Sequence, residues 1–441
     1  MSISIAIKTR FRNIALPILA LLAGSAAHAA DFFVNAFDDR IDDDFSDPAC
    51  HTNANTCTLR AAIMQANHTL TAGTVTVIHV PAGTYVLTRP PFRNDDEQTG
   101  DLNLAAPFAA NQRIVVLGSG VGSTIIDANQ IDRAFKIEAG RIATIAELTV
   151  RNGTPNSTGS GGGIYNVGTL SVSHCLIRDN IANYGGGIYS AGVLNVLAST
   201  VGPNMAYAWG GGLVLSGPTN VRESTIRDNA ADSGGGILTY SDIVIVNSTL
   251  SGNTANTNGG GIFVLSGGGA VIGKAFVYNT SIVFNDADHD HDMNGGIGGG
   301  IYATAGGRFV VTNTLIAGNT QLGWFDDDCS GTLEAYGFNL LGNLAGCAFS
   351  GNGNAARGLV SLNTIDTVLR DNGGPTPTHA LFSGSQAINA APSGCSDETA
   401  TLLATDQRGA PRVAGARCDV GAVEYGSMVP VDDAIFKNGF E

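Results

Sequence analysis

The chain has 441 residues, 59 of them glycine, with 44% hydrophobic and only 14% charged residues. That is about twice the usual glycine share and about half the usual charge, so charge-rich disorder is excluded, and the glycines lack the strict third-residue period of collagen. With 23 Lys and Arg against 38 Asp and Glu the formal charge is −15, which argues against nucleic acid or an anionic membrane as general partners.

Residues 1–29 read as a secretory signal. Lys8, Arg10 and Arg12 form the basic region, an apolar run follows from Ile14 to Gly24, and Ala27-His28-Ala29 offers a small-x-small cleavage site. The run is short for a membrane anchor, so the mature chain is expected to begin at Ala30, and no later segment has the length of a transmembrane helix. An exported chain with seven cysteines is expected to carry disulfides. The local pairs are Cys50 with Cys57, Cys329 with Cys347, and Cys395 with Cys418, although spacing alone does not fix the connectivity. Cys175 is left over.

Residues 30–112 are expected to cap the fold. Leu59, Ala62, Ile63 and Ala66 recur at helical spacing within Thr58–His68, a short amphipathic plug. Val75–Val80 and Tyr85–Leu87 read as the first strands, followed by Ile114–Leu117, Ser123–Asp127, Phe135–Ile137 and Ile145–Val150.

The segment 113–345 is dominated by a repeat. Glycine triplets followed by an aliphatic residue start at Gly161, Gly185, Gly210, Gly234, Gly259 and Gly298, at intervals of 24, 25, 24, 25 and 39 residues. Each is followed by a motif ending in Asn180, Asn204, Asn229, Asn253, Asn285 and Asn319. Two motifs holding one phase define a stacked repeat. Period-two alternations such as Leu170 and Val172, or Ile243 and Ile245, make the unit strands, not helices. The fold expected is all-β, a right-handed parallel β-helix with three short strands per coil of about 24–25 residues. Cys175 occupies the slot of Ser199, Ser224, Ser248, Thr280 and Thr314 and shares a face with Ile177, so it reads as a small buried thiol. After Asn319 the regular repeat is expected to fade into irregular coils around Leu340, Leu359 and Leu381, with residues 346–425 as the C-terminal coils and cap and a tail at 426–441.

Cys57-Thr-Leu-Arg-Ala-Ala-Ile63 resembles the motif that names the CSLREAI-domain exported proteins, with Thr58 for Ser and Ala61 for Glu. The blocks starting at Asp371-Asn-Gly-Gly-Pro, Asp406-Gln-Arg-Gly409 and Cys418-Asp-Val-Gly-Ala-Val-Glu424 resemble the C-terminal part of choice-of-anchor β-helix proteins. The repeats resemble those of polymorphic outer-membrane proteins. Residues 435–441 resemble a short tail of exported proteins, read either as a sorting signal or as a plain tail. The resemblance spans about Ala30 to Glu424. It implies a pectate-lyase-like β-helix that is secreted or held on the outer surface of a Gram-negative-type bacterium, often adhesive, and it carries over no agreed catalytic site.

Candidate chemistry follows from the repeat phase. The gap from asparagine to the next triplet, normally five or six residues, becomes thirteen after Asn285. The inserted loop places carboxylates at Asp286, Asp288, Asp290 and Asp292, which could hold Ca2+; His289 and His291 could instead suit a transition metal; a solvated acidic loop is the third reading. Tyr184, Tyr207, Trp209 and Trp324 fall on the same edge and suit stacking on sugar faces, or ordinary turn packing. Arg178-Asp179 and Arg227-Asp228 lie two coils apart, about 9.6 Å by strand spacing, at the limit for the carboxylates of an inverting glycosidase; surface ion pairs are the alternative. The leading expectation is an adhesive or glycan-binding surface protein with an extracellular glycan or surface receptor as partner. A polysaccharide lyase or glycoside hydrolase of the same fold and a structural envelope protein are the alternatives.

Overall fold

The structure is a computed structural model that describes residues 28–44, 46–68, 72–92, 97–106, 111–266, 273–290, 295–343, 345–351, 354–357 and 364–430. The signal segment up to residue 27 and the tail from 431 lie outside the described residues, as do Asp292, His291 and Leu359.

One coil shows how the chain turns. Ile164–Asn166 and Thr169–Ser173 form the first face, interrupted by a bend at 167–168; Leu176–Arg178 forms the second and Ile181–Tyr184 the third. At the corners Gly161, His174 and Asp179 take left-handed φ values of 70°, 49° and 56°. Each strand then meets its equivalent in the next coil in parallel register: Ile164 with Ile188, Leu170 with Leu194, Leu176 with Thr200 and Ile181 with Met205. Repeated along the chain, this gives sheets of 20, 11 and 7 strands. The molecule is a right-handed parallel β-helix. Ile145–Val150, expected as one strand, is two, because Glu147 turns with a φ of 57° between Ile142–Ala146 and Thr149–Arg151.

The triplets allow the coils to approach closely. A Cβ on Gly186 would lie 2.3 Å from the Met205 carbonyl oxygen and 2.5 Å from that of Gly211, and one on Gly187 would lie 2.7 Å from that of Gly212. No side chain fits there. The aliphatic residue after each triplet points inward, so Ile164, Ile188, Leu213, Ile237, Ile262 and Ile301 form a fully buried column. Each such side chain contributes about 1.5–3 kcal/mol by leaving water.

The asparagines form a continuous amide ladder. Each side-chain NH2 donates to the carbonyl oxygen of the next: Asn180 to Asn204 at 2.9 Å, Asn204 to Asn229 at 3.1 Å, Asn229 to Asn253 at 2.9 Å, Asn253 to Asn285 at 2.8 Å and Asn285 to Asn319 at 2.8 Å. The column ends on a carboxylate. Asn319 donates its side chain (2.7 Å) and its backbone N–H (2.9 Å) to Asp328 Oδ1, while Asn343 N–H reaches Oδ2 at 2.7 Å. Beside it runs a hydroxyl ladder: Cys175 N–H donates to Ser199 Oγ, Ser199 N–H to Ser224 Oγ, and Ser224 N–H to Ser248 Oγ. Cys175 occupies the first slot, is 1% exposed, and burial pushes its thiol up to about 12.

The N-terminal end is closed by helix α1, Leu59–Asn67, whose N-cap Thr58 accepts the Ala61 N–H. Arg60, the central arginine of the CTLRAAI motif, is 1% exposed. It pairs with Asp39 and donates to the carbonyls of Gly100 and Asp101, so its role is to tie the helix to the cap. Strand His28–Phe33 flanks the first sheet and runs in regular register from Ala30 opposite Thr76.

The C-terminal region departs from expectation. Coils continue through Cys329–Tyr336, Phe338–Leu341, Gly346–Ser350 and Asn354–Arg357. Leu340 is thus in a coil, but Leu381 is not. Residues 364–430 form a loop-rich strap with isolated antiparallel bridges, such as Ile365 with Leu381 and Ala391 with Cys418. The strap lies along the outer side of the second sheet, where Ile365, Leu381, Ala387 and Val420 pack on Val283, Leu315 and Leu340. Buried Gln407 anchors it, donating to Thr225 and Thr376 hydroxyls and accepting from Thr249. His379, held neutral by burial, bonds to Ser251 Oγ at 2.8 Å and to the Asp366 carbonyl at 2.6 Å. The three local cysteine pairs are all disulfides, with Cα separations of 5.2, 5.6 and 6.1 Å.

Two outcomes follow. Native protein left unreduced should show no reactive thiol to a chromogenic disulfide reagent and a single one, Cys175, after denaturation; fast labelling of the folded chain would contradict the burial. Burial pushes Asp328 up to about 6, against 3.8 ordinarily, with like-charged Asp326 adding to the effect. A raised carboxylate favours the folded state when protonated. Its contribution is therefore complete below about pH 4 and lost as pH rises through about 6. Relative to Asp328→Asn, the wild type should lose about 2 kcal/mol of unfolding free energy between about pH 4 and 7, read from denaturant midpoints at each pH.

Candidate functional site

In each coil the residue after the inward aliphatic must point outward. Register places Tyr165, Tyr189, Val214, Leu238, Phe263 and Tyr302 in one such column on the first face. A column facing water should be exposed, yet Val214 is 1%, Leu238 0% and Phe263 7% accessible. They are covered from outside. Tyr184, Tyr189, Tyr240, Leu265 and Tyr302 pack around them in a hydrophobic cluster separate from the coil core.

The rings step from coil to coil. Tyr165 and Tyr189 are stacked with centroids 5.4 Å apart. Tyr184 and Trp209 lie 5.1 Å apart, Trp209 and Tyr240 6.1 Å, and Phe263 and Tyr302 4.8 Å. Burial, with the nearby phenols of Tyr189 and Tyr184, pushes the Tyr240 hydroxyl up to about 12. The Tyr240 phenol therefore stays a neutral hydrogen-bonding group at physiological pH. Trp209 keeps 36% of its surface exposed. The result is an apolar floor edged by aromatic rings and hydroxyls, the chemistry that meets the two faces of a sugar.

Of the expected ring residues, Tyr184 and Trp209 belong to this cluster. Tyr207 is two residues before Trp209 on the strand Met205–Trp209 and is 61% exposed, but no ring contact joins it to the cluster among the described residues. Trp324 lies elsewhere: it tips a hairpin in which Thr320–Gln321 pairs antiparallel with Phe325–Asp326, and it meets Phe325 edge-on at 6.3 Å. Tyr165, Tyr189, Tyr240, Phe263 and Tyr302 were missed. Four of these five were legible as the second residue after each triplet, a position read only for its inward neighbour.

The Arg-Asp pairs are each closed within their own coil: Arg178 binds Asp179 and Arg227 binds Asp228. Both aspartates sit at left-handed corners, with φ values of 56° and 53°, a conformation that short polar side chains tolerate. The residues thus form turn geometry and partly exposed ion pairs worth little stability.

In the acidic loop Asp286 is committed to its neighbours. Asp286 is 7% exposed; its Oδ1 accepts from Thr320 Oγ1 at 2.7 Å and Gly323 N–H at 2.9 Å, and its Oδ2 lies 2.9 Å from His289 Nδ1. Asp288 is buried at a left-handed corner, while Asp290 is exposed. Among the described residues no three His, Cys, Asp or Glu side chains converge as a metal site. Of the four aspartates read as a Ca2+ site, Asp286, Asp288 and Asp290 form no such group among the described residues, and Asp292 lies outside them. A cavity of about 330 Å3 in the strap is lined by Asn389, Asp419, Glu424 and Tyr425. Its two carboxylates are occupied by the backbone N–H groups of Asn389, Tyr425, Ala414 and Asp419.

No protein-family model matches the chain, and no curated protein matches it. Among solved structures it is similar to the crystal structure of pectate lyase Pel9A, with 17% identity and a TM-score of 0.44 over 91% of this chain and 97% of that one. Likeness at this level carries no argument about reaction or ligand; the β-helix rests on the strand pairing itself.

Asp286→Ala leaves the Thr320 hydroxyl and Gly323 N–H without their acceptor and should cost about 1–3 kcal/mol. Denaturation in calcium and in chelator should give the same loss, and a loss confined to calcium would restore the metal reading.

Proposed function

We propose that this chain is an exported β-helix protein that binds extracellular glycans on the aromatic face of its rod. The observation that carries the reading is the outer hydrophobic cluster: Trp209 and Tyr184, Tyr189 and Tyr240 gather over residues that the coil core does not need. A rigid solenoid supplies such rings at no cost in ordering, which favours binding. The strap occupies the second sheet and leaves the ring cluster on another side of the rod. Three disulfides suit an oxidising compartment outside the cytosol. Attachment to a cell or host surface through such glycans is the adhesive role this reading implies.

The test is affinity electrophoresis of the purified protein through gels containing individual polysaccharides, with the mobile phase analysed for released sugars. Trp209→Ala should weaken retention by about tenfold, or about 1.4 kcal/mol, with an unchanged melting temperature. Trp324→Phe should leave binding intact; with only two tryptophans in the chain it also makes Trp209 the sole fluorescence reporter. Equal retention of wild type and Trp209→Ala would overturn the site, and shortened products would make the chain an enzyme.

A further inference from the structure

Charge on the ring-bearing face narrows the ligand. Residues 181–192, 205–217, 230–242 and 254–266 build this face in four successive coils, and they contain no Lys, Arg or His. Their only charged residues are Asp232 and Asp242. The basic side chains bordering the cluster are already engaged. Arg133, at its N-terminal end, stands 5.3 Å over the Tyr165 ring and pairs with Asp101. Lys274 and Arg308 lie across the bend of the first face, where both attract Asp242 and Arg308 binds Glu334. Lys136, in register beside Tyr165, lies 3.5 Å from Glu138, so among the described residues a uronate or sulfated chain laid on this face would meet acidic groups and only cations that already have acidic neighbours, in a protein already at −15.

Geometry narrows it further. The rings do not surround one point. They are spread along the rod in three groups: Tyr165 stacked on Tyr189 at 5.4 Å, Trp209 between Tyr184 at 5.1 Å and Tyr240 at 6.1 Å, and Phe263 edge-on to Tyr302 at 4.8 Å. Six coils from Tyr165 to Tyr302 span about 24 Å at strand spacing. Such a track matches a run of sugar rings, not a single terminal sugar.

Resting on the glycan-binding reading, we propose that the ligand is an uncharged, linear polysaccharide whose chain lies parallel to the rod axis along the column Tyr165 to Tyr302. The sugars stack on the rings through their C–H faces, and the phenols of Tyr184, Tyr189 and Tyr240 serve their hydroxyls.

The experiment is calorimetric titration of the full mature chain with linear β-1,4-linked glucan, mannan and xylan oligosaccharides of two to six sugars, and with oligogalacturonates of the same lengths, at low and high salt. At least one neutral series should gain about tenfold or more in affinity from two to six sugars, with no dependence on salt, and oligogalacturonates should bind at least about tenfold more weakly. Tyr302→Ala should reduce affinity for the six-sugar ligand and leave the two-sugar ligand unaffected. Salt-sensitive preference for oligogalacturonate, or affinity independent of length, would overturn this inference while leaving glycan binding intact. Binding of none of these probes, together with no retention in any polysaccharide gel, would overturn the glycan reading itself. A dimer that buries Trp209 in the unliganded protein, seen by light scattering and quenched fluorescence, would also overturn it by assigning the face to a second copy.

Discussion

Each coil of this protein must stack on a copy of itself at the distance of one paired strand, and nearly every other feature depends on that. Backbone N–H and C=O groups of one coil are satisfied only by the next, so positions are not independent: a residue type that works once must work in a column. Inward columns accept aliphatic side chains. Where carbonyls of adjacent coils press close, as at Gly186 and Gly187, no Cβ fits. Where the chain turns inside the core, an amide is suited because it both donates to and accepts from its equivalents, and Asn180 through Asn319 do so without a break.

The same constraint creates problems at the ends, where a column has no further partner. The structure resolves each locally. Helix α1 covers the first coils, with buried Arg60 binding it to the cap. Asp328 completes the asparagine column by accepting two hydrogen bonds from Asn319 in place of another amide. The hairpin at Thr320–Asp326 turns the third sheet back on itself and occupies its last edge. The strap 364–430 then buries the outer side of the second sheet through Gln407 and His379.

What remains is a surface decided by outward positions, which the core does not restrict. Val214, Leu238 and Phe263 are buried there only because neighbouring rings close over them. Burying them contributes to stability as the inner column does, and the tyrosines around them are only partly buried. The Arg-Asp corners, by contrast, are explained by local turn geometry and paired charge.

The amino-acid sequence by itself determined the β-helix, its coil length, the inward aliphatic and asparagine columns, the capping helix and the buried state of Cys175, and it suggested the three local cysteine pairs that the structure joins. Each depends on periodicity or on residues near in sequence, and stacking converts a period directly into contacts. Tertiary structure alone decided the rest. Asp328 ends the asparagine column from nine residues beyond Asn319, off the repeat phase. Leu381 and Gln407 join a lateral strap through coil residues such as Val283 and Thr225, which are more than ninety residues away and share no period with them. Asp286 and Asp288 are buried while Asp290 is exposed, because a left-handed corner at Asp288 breaks the alternation that sequence spacing suggests. Tyr240 meets Trp209 across the boundary between two faces, and no one-dimensional spacing specifies how a chain folds its edges over one another.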